Sequence, residues 1–204
     1  MKRKFCFPKL LLILGSLLLA AASEALAPAQ TASETGPAAV AQDFRLTDQN
    51  EKPFQLSQLR GNFVLLFFGY TTCPDACPTT LSKLSRIYKI LGRDSRHLVT
   101  LFVSVDPARD TPAVLSKYLH YFRINSLGLT GSKDDIDVVV KQFGARYEIE
   151  QSDSAAGYHI NHSTDLYLLN ERGELVQRFG YGDSTRKISD VIAQAMNSFR
   201  SARH

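Results

Sequence analysis

Between residues 42 and 200 the chain alternates short, continuously apolar runs with longer stretches whose apolar positions recur every three or four residues. That alternation predicts strands and helices in turn. Residues 44–46 and 53–56, separated by Asp48-Gln49-Asn50, predict a small hairpin. Phe63–Gly69, read FVLLFFG, is apolar throughout and too short for a helix, the mark of a strand buried on both faces. Over residues 79–91, Leu81, Leu84, Ile87, Tyr88 and Leu91 share one helical face. Residues 98–106 predict a second buried strand. Asp110-Thr111-Pro112 then supplies a capping residue and a first-turn proline for a helix running to about Tyr121. A short strand is expected at 127–129 and a helix at 132–143, ending near Gly144. Residues 146–150 and 164–169 read as strands, the latter paired with 175–181 through a turn at 170–173. A last helix spans about 184–199.

Such an order gives an α/β sheet covered on both faces, its last two strands antiparallel. Strand, cysteine-bearing turn, helix, strand, helix, then hairpin and helix is the order of a thioredoxin-like domain, here with an N-terminal β-hairpin extension. The domain is expected over 42–200, with no internal repeat and no second domain. Residues 28–41, rich in Ala, Pro, Thr and Ser, read as a flexible linker. Residues 1–27 have the layout of a secretory signal: Lys2, Arg3 and Lys4, an apolar run over 10–22, then Ala25-Leu26-Ala27. Pro28 directly follows that cleavage pattern, so an uncleaved membrane anchor is the alternative. Either way the domain is expected to be exported, periplasmic, and anchored to the inner membrane if the segment is retained.

Charge changes the picture little. The formal net charge is +4, but residues 1–27 hold four positive groups and one negative one, which leaves +1 for the rest. No basic face remains to suggest a nucleic-acid partner.

The candidate chemistry lies directly after the first buried strand. Cys6 falls in the leader, so the exported chain has only Cys73 and Cys77. In an oxidising compartment such a pair is a disulfide, a redox couple or a metal site. Residues four apart share a helical face, so both sulfurs can point at one spot. A helix N-terminus favours the thiolates that bind metals or attack disulfides. Soft sulfur donors without hard oxygen ligands favour Cu(I), with zinc the competitor. A disulfide closing so short a loop would stabilise the fold little.

Among the histidines, His97 and His120 read as surface residues and His204 is terminal. His159 and His162 precede the strand that enters the final hairpin, a connection that in thioredoxin-like folds returns beside the cysteine loop. Thioredoxins carry a cis-proline there; this chain has no proline after Pro112. In extended backbone His159 and His162 face opposite sides, so only one can point inward. Position favours His162, which would complete a three-coordinate site of two sulfurs and one nitrogen.

The segments FFGYTTCPDACPTTL, FVSVDPARDTP, GLTGS and NHSTDLYLLNERGEL occur in an order and spacing that resemble the Sco/SenC family over about residues 41–199. The resemblance implies a thioredoxin-like, exported or membrane-tethered copper chaperone that supplies the CuA centre of cytochrome c oxidase subunit II or a related copper oxidase. It implies metal ligation by Cys73, Cys77 and His162, a redox disulfide between Cys73 and Cys77, and motif positions for Asp75, Asp106 and Asp110 that are not ligands. Copper would be held as Cu(I); Cu(II) could use the same residues with an added water or backbone ligand. A thiol reductant and other copper carriers are further partners to expect. The family reading is a metallochaperone rather than an enzyme. The enzymatic alternative is a thiol–disulfide oxidoreductase that keeps the oxidase cysteines reduced. Asn161 stands where the family usually has Asp, and Thr72 where many members have His. SVDPARDTP also has relatives among peroxiredoxins, but Leu66 and Tyr70 occupy the places of the Pro and Thr that precede a peroxidatic cysteine.

Overall fold

A computed structural model describes residues 42–152 and 157–201, all within one compact unit. The leader and linker expected over 1–41, and His204, lie outside the described residues. Among those described, no helix is long and apolar enough to cross a membrane.

Among the described residues, nine strands and four α-helices form the fold. The predicted hairpin is β1 (Arg45–Asp48) with β2 (Pro53–Gln55), followed by a 3-10 turn at Leu56–Leu59. Next come β3 (Phe63–Gly69), α1 (Ala76–Leu91), β4 (Leu98–Ser104), α2 (Pro112–His120), β5 (Ser126–Thr130) and α3 (Lys133–Gln142). Strands β6 (Tyr147–Gln151), β7 (Tyr158–His162), β8 (Leu166–Leu169) and β9 (Leu175–Phe179) lead to α4 (Thr185–Ser201). Seven strands make one sheet in the order β2-β1-β5-β4-β3-β8-β9, while β6 and β7 form a separate two-stranded arm. The thioredoxin-like α/β architecture is therefore present, with the N-terminal hairpin added at the β5 edge.

Strand β3 lies between parallel β4, in register from Phe63↔Leu98 to Gly69↔Ser104, and antiparallel β8. Its continuous apolar run follows from burial on both sides. Phe63, Leu65 and Phe67 face α1, α2 and α4 through Leu81, Leu84, Leu115, Ile188 and Ile192. Val64, Leu66 and Phe68 face α3 and β7 through Ile136, Val139 and Ile160. This double layer pins the end of β3, and hence the loop carrying the cysteines.

Two differences from the predicted elements bear on the site. Helix α1 begins at Ala76, about one turn earlier than expected, because Pro78 in its first turn lacks only an N–H that would have no helical partner there. Residues 158–162 form a strand of their own, paired Tyr147↔His162 through Gln151↔Tyr158. Five residues of mixed polarity, Tyr-His-Ile-Asn-His, carry too weak an alternation to announce it.

Candidate metal centre

Cys73 sits in the turn between β3 and α1, where its N–H donates to the Tyr70 carbonyl at 3.2 Å. Cys77 lies in the first turn of α1 and is buried, packed against the β3 end. Gly69 permits that packing: a Cβ at residue 69 would stand 2.5 Å from the Cys77 Sγ. His162 ends β7. Its place is fixed by the Ser163 N–H donating to the Arg146 carbonyl and the Arg146 N–H donating to the Ser163 hydroxyl, both at 2.9 Å.

These three side chains meet. His162 Nε2 is 3.8 Å from Cys73 Sγ and 3.5 Å from Cys77 Sγ, and all three donor atoms lie within 4.8 Å of one another. Donors about 2.0–2.3 Å from a shared ion in one plane stand about 3.5–4.0 Å apart. The arrangement therefore fits a three-coordinate ion with little movement. The other ring nitrogen, Nδ1, is 2.9 Å from the Ser163 carbonyl. That contact suits an Nδ1–H donor and leaves Nε2 free to ligate. The Tyr70 ring meets the imidazole edge-to-face, 5.7 Å between centroids and 85° between planes.

The two thiols are electrostatically unequal. Donation from the Cys77 thiol holds Cys73 down to about 3, helped by His162 and by the backbone amides of Cys77 and Asp75. The same bond, with burial and the Cys73 charge, pushes Cys77 well above its ordinary value. Both cysteines are free, Cys73 half-buried and Cys77 buried. Cys73 is thus the more accessible and more nucleophilic of the two. Iodoacetamide is expected to modify Cys73 first, at a rate that stays flat from about pH 5 to 8, because a depressed pKa keeps the thiolate populated throughout that range instead of appearing near 8.5. Peptide mapping after timed quenches checks this; Cys77 reacting first would contradict it.

The remaining histidines stay apart. His159 is on the outer face of β7 and pairs with Glu150 at 2.8 Å, as the alternation required. His97 and His120 are exposed and outside the cluster. Asn161 is also outward, its amide on Glu150, and Thr72 is exposed, so neither departure from the family pattern touches a donor. Asp75 stands before α1, where its carboxylate accepts from the Thr79 hydroxyl at 3.2 Å.

The Asp106–Thr111 segment does more than cap a helix. Thr111 is the cap of α2, with Pro112 next. Asp110 is fully buried and accepts from the Thr71 N–H at 3.0 Å, the Thr71 hydroxyl at 2.5 Å and the Ser104 hydroxyl at 2.6 Å. It ties the cysteine loop to the end of β4, and burial raises its pKa. Asp106, also buried, pairs with Arg109 and accepts from the Tyr158 hydroxyl at 2.7 Å. These roles go beyond the strand end and helix cap that the sequence predicts there; their one signal in the sequence is a charged pair beside a buried strand end.

The pattern of the SCO1/SenC family matches residues 32–197. An SCO2-like protein of Rickettsia felis is 36% identical over 151 residues, 74% of each chain. Among solved structures, copper-bound ScoI of Arabidopsis thaliana superposes with a TM-score of 0.73 at 29% identity, covering 78% of this chain and 99% of that one. Copper-bound ScoI of Bradyrhizobium japonicum gives 0.70 at 32% identity, covering 77% and 99%. The chain belongs to the SCO1/SenC family.

Proposed function

We propose that this SCO1/SenC protein binds one copper ion through Cys73, Cys77 and His162 and passes it to a partner copper site. The observation that carries the reading is the convergence of two sulfurs and one imidazole nitrogen within 4.8 Å at the rim of the fold. Two thiolates and one neutral imidazole suit Cu(I), a soft ion content with low coordination. Among the described residues no carboxylate joins the cluster, which disfavours magnesium or calcium. Structural zinc would ordinarily take a fourth protein ligand.

The site is also placed for exchange. Cys73 and His162 are only half-buried, and His162 borders a surface cleft of about 880 Å³ lined in part by Asp137, Lys141, Arg146 and Glu148. An incoming ligand can therefore approach while Cys77 still holds the ion. The family resemblance supports the CuA centre of cytochrome c oxidase subunit II, or a related copper oxidase, as recipient. It supports an exported, periplasmic domain, anchored through residues 1–27 if these are retained, and served by a thiol reductant and other copper carriers.

A second reading, thiol–disulfide exchange by Cys73 and Cys77, is favoured by the depressed Cys73 pKa and by the closeness of the thiols. Anaerobic titration of the reduced chain with Cu(I) against a chromophoric chelator tests the first. One equivalent should bind, weakened by at least about 10–100-fold in His162→Ala, since loss of a ligand costs no less than loss of the groups that support one. Weak binding indifferent to His162, together with turnover in an insulin-reduction assay, would move the function to thiol–disulfide exchange.

A further inference from the structure

We propose that Asp106, Arg109 and Tyr158 form a latch that holds β7 against the body of the protein and so sets the reach of His162 to the two thiols. The inference rests on the copper reading above and names residues that touch no donor atom, acting only through the position of the arm.

The arm needs such a fastening because β6 and β7 hydrogen-bond to each other and not to the seven-stranded sheet. Tyr158, Ile160 and His162 alternate along β7 on its inward face. At the far end of that face the Tyr158 hydroxyl donates to Asp106 at 2.7 Å, and Arg109 Nη1 donates to the Tyr158 carbonyl at 3.1 Å. The guanidinium lies 3.7 Å from the Tyr158 ring centroid and 5.7 Å from that of Tyr70, while its Nε pairs with Asp106. Midway, the buried Ile160 N–H donates to the Tyr70 hydroxyl at 3.2 Å. At the near end, Tyr70 carries the edge-to-face contact with His162.

The same short loop also reaches the other half of the site. Asp110 binds Thr71, two residues before Cys73. Residues 106–110 therefore brace the thiol loop on one side and the imidazole arm on the other. Three points on one face of a five-residue strand are fixed, so His162 arrives at the sulfurs preset. With the latch released, the thiols stay where β3 and α1 hold them and the imidazole withdraws, which leaves a two-sulfur site. Guanidinium stacking on an aromatic ring and a buried charge-assisted bond are the interactions whose loss such an arm would feel most.

Two measurements on the full, reduced chain test this with Arg109→Gln, the conservative Arg109→Lys and the milder Tyr158→Phe. Without metal, amide hydrogen exchange at Ile160 and His162 should quicken by about tenfold in Arg109→Gln and Tyr158→Phe, with Leu65 and Leu66 of β3 unchanged. With copper, Cu(I) affinity should fall by about tenfold in the same variants, partly restored in Arg109→Lys, and should fall no further when they are combined with His162→Ala. Equal losses with and without His162, or unchanged exchange in β7, would overturn the latch. Should the native chain fail to bind Cu(I), the copper reading falls, and the metal-free exchange data still decide whether the latch exists.

Discussion

Cys73→Ser is expected to abolish tight Cu(I) binding, weakening it by more than about a hundredfold, the upper end of what loss of a merely supporting group produces. A serine hydroxyl is hard and stays protonated at neutral pH, so the substitution removes both a soft donor and a negative charge. Cys73 is half-buried in a turn, so the fold should tolerate the change and the thermal midpoint should barely move. Cys77→Ser should lose binding to the same degree and also cost some stability, since it places a hydroxyl in the apolar cluster beneath α1. Competition with a Cu(I) chelator under anaerobic conditions measures both. Retention of native affinity in Cys73→Ser would mean that the sulfurs do not share one ion.

Gly69→Ala should destabilise the protein by about 1–3 kcal/mol, the range for overfilling a packed core. The added methyl would stand 2.5 Å from the Cys77 Sγ and 2.8 Å from the edge of the Phe102 ring. Neither neighbour can yield cheaply. Phe102 is fully buried and packed against Phe67, 5.1 Å between centroids, and against Tyr118 at 5.9 Å. Cys77 rides on a sixteen-residue helix whose inner face is locked by Leu81, Leu84 and Ile87. At roughly 2–4 °C per kcal/mol for a chain of this size, the midpoint should drop by about 2–12 °C. Copper affinity should fall with it, because relief of the clash displaces one of the two sulfurs. A variant as stable as the native chain, with unchanged affinity, would show that Cys77 is not seated on residue 69.

Both expectations depend on the handover from β3 to α1, and that part was the most legible in the chain. Phe63–Gly69 announced a buried strand through seven apolar residues in a row, and its bounds are those observed. The helix faces were equally clear, since Leu81, Leu84 and Ile87 repeat at helical spacing and are buried as that repeat requires. Opposite orientation of His159 and His162 followed from strand alternation alone, and the structure places His159 on Glu150 and His162 beside the thiols. The arm itself was less legible. Strand β7 is short and polar on one side, and its partner β6 is joined to no other strand, so neither length nor burial marked it. Residues 106–112 show in sequence only a strand end and a helix cap, because the contacts of Asp110 with Thr71 and of Asp106 and Arg109 with Tyr158 span dozens of residues of sequence.

By itself, then, the sequence determined the order of elements, the core faces, and which side chains have the chemistry to hold a soft metal. Those properties are local: periodicity, turn residues and donor softness act over a few positions and survive reading in one dimension. Only the tertiary structure decided that His162 lies 3.5 and 3.8 Å from the two sulfurs, that Cys73 and Cys77 differ in pKa, and that one loop braces both halves of the site. The placement of His162 and the bracing loop depend on separations through space between residues 39 to 89 positions apart, and the unequal thiols depend on how packing buries Cys77 and aims it at Cys73. Such separations are set by how the layers pack, and no local pattern of residues encodes them.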